Sequence, residues 1–289
     1  MSLLIIGGDS RLSKRIRENY VVKYSTSRTL HKRNKLFLDL SDTDSFEIPE
    51  DVDKCLIIGG PVSYAQANTS STTVRDIHQF QIPLLVKRLL TKNIYTVYIS
   101  SNMVLGKDCK DRSEKAIPNP NIEYGKIKYI CEKKIYEKAT EVKNVDKLAI
   151  FRMTKNISPE TTPFLNWIKN YKNDEPIIAF KDLYFSPLFY EKSADALIRL
   201  ANLEAPGIFH FSGLKDINYY ELCREVNKVL IKKNKKQIKI IDSTSKEQGI
   251  TLEDIGSTTF LDMKRTSSML KIKPVKLSEI CDYIISLLD

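Results

Sequence analysis

Tyr124 and Lys128 stand four residues apart in NPNIEYGKIKYICEK, residues 119–133. On a helix this spacing puts both side chains on one face. An ammonium beside a phenol favours phenolate and draws the tyrosine down from its free value of about 10. Such a pair can pass a proton to or from a substrate oxygen. A further hydroxyl would hold the substrate carbonyl, and YISSNMVLG, residues 98–106, supplies Ser100 and Ser101. Alone, a Tyr and a Lys at this spacing arise readily in a lysine-rich chain and describe an ordinary solvated helix face; context decides between the two readings.

The context begins at the N-terminus. SLLIIGG (2–8) reads as a buried strand ending in Gly7 and Gly8, and RLSKRIREN reads as a helix opened by Arg11 and Leu12. A glycine turn entering a helix is suited to a pyrophosphate, because the first turn offers unpaired N–H groups and the positive dipole end. In the pattern GxxGxxG, Ser10 and Ser13 occupy the second and third glycine positions. Ser10 offers a phosphate a hydroxyl, but its β-carbon limits how near the backbone comes. By itself the motif is equally compatible with a turn that binds nothing. The second strand ends in Ser27 and Arg28 with no acid, a pattern that favours NADPH over NADH; an exposed basic loop is the alternative. Asp39 and Leu40 close the third strand, where an adenine would lie. Gly59, Gly60 and Pro61 follow the fourth and let a dinucleotide pass close to backbone.

The elements that must position these residues are legible as apolar runs separated by amphipathic segments. Strands are expected near 2–8, 20–27, 35–40, 54–60, 94–101 and 147–153, with a helix over 73–92. Continuous apolar strands alternating with helices indicate an α/β fold, a Rossmann-type doubly wound parallel sheet covered on both faces. The rhythm changes after residue 155. Residues 1–155 read as a dinucleotide-binding domain and 156–289 mainly as a smaller α/β substrate domain, with segments near 180–202 packing back.

Composition narrows the classes. The 289 residues are 42% hydrophobic and 28% charged, as in globular proteins. No apolar run is long enough to span a membrane and no signal peptide is evident, so a cytoplasmic protein without a membrane partner is expected. Five scattered cysteines fit a reducing compartment. Lys and Arg exceed Asp and Glu by 46 to 36, a charge of +10. No nucleic-acid-binding motif accompanies that charge, so no nucleic acid is expected. His31, His78 and His210 are too dispersed for a metal site, and none is expected.

With these segments in order, the chain resembles the extended short-chain dehydrogenase/reductases, most of all the dTDP-4-dehydrorhamnose reductase group. YISSNMVLG resembles that group's STDYVFxG, and PNPNIEYGKIKYICEK its PxNxYGxxKxxGE, with Glu132 at the last acidic position. LAIFRM resembles its LRT strand, FKDLYFSPLF its DQxGxPT segment through Asp182 and Pro187, and GIFHFSG (207–213) its GIYHxSG. The resemblance implies Tyr124 as proton donor, Lys128 as its partner and ribose ligand, and Ser101 as the catalytic hydroxyl. It implies a nucleotide-linked 4-keto-6-deoxy sugar as substrate, near Ser101, Asn102 and Met103, in surface-polysaccharide synthesis; Arg152, at a strand end, either meets a nucleotide phosphate as a substrate-binding residue or forms a structural salt bridge. A homodimer is compatible with it. Two glycines are lost, STDY becomes Ser100-Ser101-Asn102-Met103, and Lys155 stands where the group has tryptophan. A non-catalytic nucleotide-binding regulator on the same fold is the alternative those departures leave open.

Overall fold

The computed structural model describes residues 2–29, 35–60, 72–250 and 253–289. Pro61 and His31 lie outside the described residues. The main sheet is built from Leu3–Ile6 (β1), Tyr24–Ser27 (β2), Lys35–Phe37 (β3), Lys54–Ile57 (β4), Tyr95–Ser101 (β5) and Leu148–Met153 (β6). Residues of β1, β4, β5 and β6 are buried throughout, which is why these strands read as unbroken apolar runs. Small strands follow: Asn156–Ile157 (β7), Ile177–Phe180 (β8), Tyr184–Phe185 (β9) and Leu188–Phe189 (β10). Gly207–Phe211 (β11) then returns to the main sheet and pairs in parallel with β6. Ile217–Asn218 (β12) pairs with β9, and Ile240–Ser243 (β13) with β8.

The sheet order is β11-β6-β5-β4-β1-β2-β3, all parallel. The order reverses between β1 and β4, and ligands in such folds lie outside the carboxyl ends of the strands at that reversal. Arg11–Asn19 (α1) follows β1. The stretch expected as one helix over 73–92 comprises Thr72–Asp76 (α2), a π-helical turn at Ile77–Gln81, and Ile82–Thr91 (α3), with Pro83 in the first turn of α3. Glu123–Glu141 (α4) carries Tyr124 and Lys128. The later helices are Phe164–Lys172 (α5), Tyr190–Leu203 (α6), Tyr219–Lys232 (α7), Lys264–Leu270 (α8) and Leu277–Leu288 (α9).

One apolar cluster lies on the α1 side of the sheet, joining Leu3, Ile16, Val97 and Phe151 to Ala194, Leu197, Val226 and Ile284. It runs without a break from the N-terminal sheet into the C-terminal layers. The other, on the α3 and α4 side, includes Leu4, Ile57, Leu85, Leu89, Cys131 and Ile135. Thus α6, within the segment expected near 180–202, packs against α1, and β11 beyond it forms one edge of the sheet.

Candidate active site

At the reversal point Gly7 has φ of +86°, and a β-carbon there would sit 2.3 Å from the Gly59 Cα. Only glycine lets the two loops meet in this way. The serines that replace the other glycines are used internally. Ser10 caps α1 by accepting from the Ser13 N–H (3.1 Å), and the Ser13 hydroxyl donates to the Gly7 carbonyl (2.7 Å). Ser13 is fully buried. The turn is therefore held by side-chain hydrogen bonds. The N–H groups of Arg11 and Leu12 are among those that a helix start leaves without intrahelical acceptors.

The loop opens onto a cleft of about 700 Å³. Asp9, Ser10, Arg11 and Leu12 line one side; Ser100, Ser101, Asn102, Met103 and Tyr124 line the floor. Met153, Thr154, Lys155 and Asn156 continue from β6, Tyr190 lies against Arg11, and Tyr184, Phe185, Tyr219 and Glu253 complete the lining. Gly125 brings α4 onto this floor, since a β-carbon there would lie 2.4 Å from the Met103 carbonyl. That approach places Tyr124 in hydrogen-bond contact with Ser101. Ser101 also bonds Asn102 Oδ1 (3.2 Å), and Asn102 donates to the Thr259 carbonyl (2.8 Å), tying the floor to the C-terminal segment. The hydroxyls of Ser100 and Thr154 are buried without a partner, as expected for groups awaiting a polar ligand.

Lys128 departs from the expectation. It is 7% exposed, and its Nζ donates to Tyr98 Oη and the Ile99 carbonyl, both at 3.3 Å. The Tyr124 phenol is accordingly not drawn down by an adjacent ammonium. Burial raises it, and the Ser101 hydrogen bond lowers it in part; some of the ring stays exposed while the hydroxyl is enclosed. Burial lowers Lys128, against the opposing pull of Cys131 and Glu132. The resting state is thus a protonated tyrosine, the form a proton donor needs. In reduction, kcat/KM should hold through neutral pH and fall only as pH rises beyond the ordinary phenol value of about 10. The native state holds this proton more tightly than the unfolded chain. Its contribution to stability is therefore full below about pH 10 and is lost as pH rises through the folded value. A pH profile of reduction checks this; an alkaline fall centred near neutrality that Tyr124→Phe abolishes would contradict it.

Of the two readings open for Arg152, the structure has the salt bridge and not the phosphate contact. It is 1% exposed and outside the cleft. Its Nε and Nη2 donate to Glu132 Oε1 and Oε2 at 3.0 and 2.6 Å, a two-point pair between strand and helix. A guanidinium so engaged and enclosed is not presented to a substrate. Among the cofactor residues, Gly59 and Gly60 follow β4, Leu40 packs against the α3-side cluster, and Asp39 accepts from Ser41, whose hydrogen bonds lower its carboxyl. Ser27 and Arg28 end β2, with Arg28 exposed near Asp39.

Lys155, Phe185, Tyr219 and Glu253 were not singled out as site residues by sequence. The Lys155 Nζ donates to Tyr219 Oη (2.5 Å) and lies 5.7 and 5.3 Å from the Phe185 and Tyr219 ring centres. These residues are dispersed along the chain; the β9–β12 pairing brings Phe185 beside the start of α7, which carries Tyr219. Lys155 alone carried a signal, as the residue at the tryptophan position of the group it resembles. Glu253 accepts from the Glu123 N–H at the start of α4 (3.1 Å). Among the described residues no group of His, Cys, Asp and Glu could hold a metal ion, and no helix is long and apolar enough to cross a membrane.

A family model described as "RmlD substrate binding domain" matches residues 1–276. No curated protein matches. Solved structures share the fold. A hypothetical dTDP-4-dehydrorhamnose reductase of Sulfolobus tokodaii is 22% identical, with a TM-score of 0.73, over 96% of this chain and 98% of that one. A dTDP-4-dehydrorhamnose reductase of Bacillus anthracis, in complex with NADP, is 16% identical, with a TM-score of 0.79, over 99% of each. A UDP-N-acetylglucosamine 4-epimerase of Bacillus cereus is 16% identical, with a TM-score of 0.76, over 100% of this chain and 99% of that one.

Proposed function

Because this chain belongs to the RmlD substrate binding domain family, with the fold of the short-chain dehydrogenase/reductases, we propose that it reduces the ketone of a nucleotide-linked 4-keto-6-deoxy sugar. The observation that carries this reading is the Ser101–Tyr124 hydrogen bond on the floor of a cleft shared with the glycine turn. A nicotinamide dinucleotide fits the chain's own features: the turn after Gly7 lines the cleft through Asp9 and Ser10, the start of α1 offers N–H groups, and the Ser100 and Thr154 hydroxyls await polar partners. When bound, that group supplies the hydride.

The residues do the rest. When the ketone binds, Ser101 Oγ turns its proton from the long contact with Asn102 Oδ1 (3.2 Å) to the ketone oxygen and orients it, and Tyr124 Oη carries the proton that this oxygen takes as the carbonyl becomes an alcohol. The product gains one hydride and one proton, and Tyr124, left as phenolate, recovers its proton from solvent. Lys128 holds Tyr98 and the end of β5 in place behind the floor. The Tyr184, Phe185 and Tyr219 side receives the nucleotide, with Lys155 as the cation for its diphosphate. Lys155→Met is expected to raise KM roughly 10- to 100-fold, the loss of one charge-assisted contact, with a smaller change in kcat. An unchanged KM in steady-state kinetics would remove Lys155 from substrate binding.

The reading is tested by following oxidation of the reduced dinucleotide with dTDP-, UDP- and GDP-linked 4-keto-6-deoxy sugars. Turnover with at least one is expected. Failure with all three, by protein that binds the dinucleotide, would overturn it.

A further inference from the structure

We propose that Asp9 makes this cleft select NAD(H), the dinucleotide with a free ribose 2′-hydroxyl, over its 2′-phosphorylated counterpart; the inference rests on the reading of the cleft as a dinucleotide site. From the sequence, the end of β2 shows Ser27 and Arg28 and no acid, which points to NADP(H). The fold brings an acid there from another loop. Asp9, in the turn after β1, lines the cleft and is exposed, and its carboxylate accepts the hydroxyl of Ser27.

This contact changes what Ser27 can do. A serine hydroxyl has one proton to donate. Here it goes to Asp9, while the Ser27 oxygen accepts from the Thr29 N–H (3.0 Å) and lies 3.1 Å from the Thr29 hydroxyl. Ser27, 5% exposed, is thus committed and has no proton to give a phosphate. The neighbouring charges agree. Arg28 lies beside Asp39, and Arg17 donates to the Gly8 carbonyl at 2.7 Å. A 2′-phosphate at this strand end would meet the Asp9 carboxylate, a like charge. A ribose 2′-hydroxyl is instead a donor, and the carboxylate accepts it, the role an acid at the end of β2 plays elsewhere in this fold. The acid has moved to the first loop and reaches the same place through Ser27.

Calorimetric titration of the full chain with NADH and NADPH, for wild type, Asp9→Asn and Asp9→Ser, tests this without turnover. Wild type should bind NADH at least roughly tenfold more tightly than NADPH, the weight of one hydrogen bond to a charged group. Both variants should tighten NADPH by about the same factor, through lost repulsion and a freed Ser27 proton, and weaken NADH, whose 2′-hydroxyl loses its charged acceptor. Two substitutions at an exposed position guard against a folding defect in one. Wild type that prefers NADPH, or variants whose NADPH affinity is unmoved, would overturn the role of Asp9 and leave the reductase reading standing. Binding of neither dinucleotide would overturn both.

Discussion

Tyr124→Phe is expected to lower kcat for keto-sugar reduction by about 10²–10⁴-fold, the usual contribution of a positioned proton donor, while leaving dinucleotide affinity within a few-fold. The substitution removes only the hydroxyl. The ring keeps its contacts with Val74 and Ile127, and Gly125 still seats α4 against Met103. Ser101 then loses its phenol partner but keeps Asn102 and the Met103 N–H, so the floor stays in place. The loss should fall on kcat and kcat/KM together, since the proton moves only in the transition state. Ser101→Ala should also lower kcat, and the double variant should fall short of the product of the two losses, because both hydroxyls act on one oxygen. Steady-state kinetics of the four proteins decides this. A Tyr124→Phe enzyme with unchanged kcat would show that the proton comes from elsewhere.

The largest effect on stability is expected at Arg152 and Glu132. Their side chains are 2% and 4% exposed, and they pair at two points between β6 and α4. Removing either partner strands a charge where water cannot reach it, at a cost of about 3–5 kcal/mol. Arg152 has little reserve, because its Nη1 is already buried without a partner. Across the β6–β11 pairing, His210 is held neutral, its value lowered to about 3 by burial and by the Arg152 charge. With Glu132 gone, that cation would have no counter-charge in this contact. Glu132→Ala and Arg152→Ala should each unfold at markedly lower denaturant, whereas Arg152→Met with Glu132→Leu should recover most of the loss. Were Arg152 a substrate ligand, Arg152→Ala would instead raise KM and leave the denaturation midpoint nearly unmoved.

The sequence made the strands and most helices legible because each carries its own periodicity. Leu3–Ile6, Lys54–Ile57 and Leu148–Met153 are buried on both faces and read as apolar runs, and the helix expected over RLSKRIREN matches Arg11–Asn19. The return of Gly207–Phe211 to the main sheet was not legible, since the strand looks the same whichever sheet receives it. Side-chain commitments were hidden for a similar reason. Tyr124 and Ser101 could be paired from the order of motifs, but nothing local shows that Lys128 turns to Tyr98, that Arg152 turns Nε and Nη2 to Glu132, or that Asp9 reaches Ser27. Each joins elements distant in sequence. A charge in a sequence states what a residue can do, and only the fold shows which partner has already taken it.

The central claim is that this cleft moves hydride from a reduced nicotinamide to the carbonyl carbon of a nucleotide-linked sugar, with the proton taken from Tyr124. The most direct measurement uses NADH deuterated at the transferred position, a 4-keto-6-deoxy sugar nucleotide, and mass and NMR analysis of the product. One deuterium at the former carbonyl carbon is expected with wild-type protein, and almost none in the same time with Tyr124→Phe. A product free of deuterium, or no product from protein saturated with dinucleotide, would contradict the account.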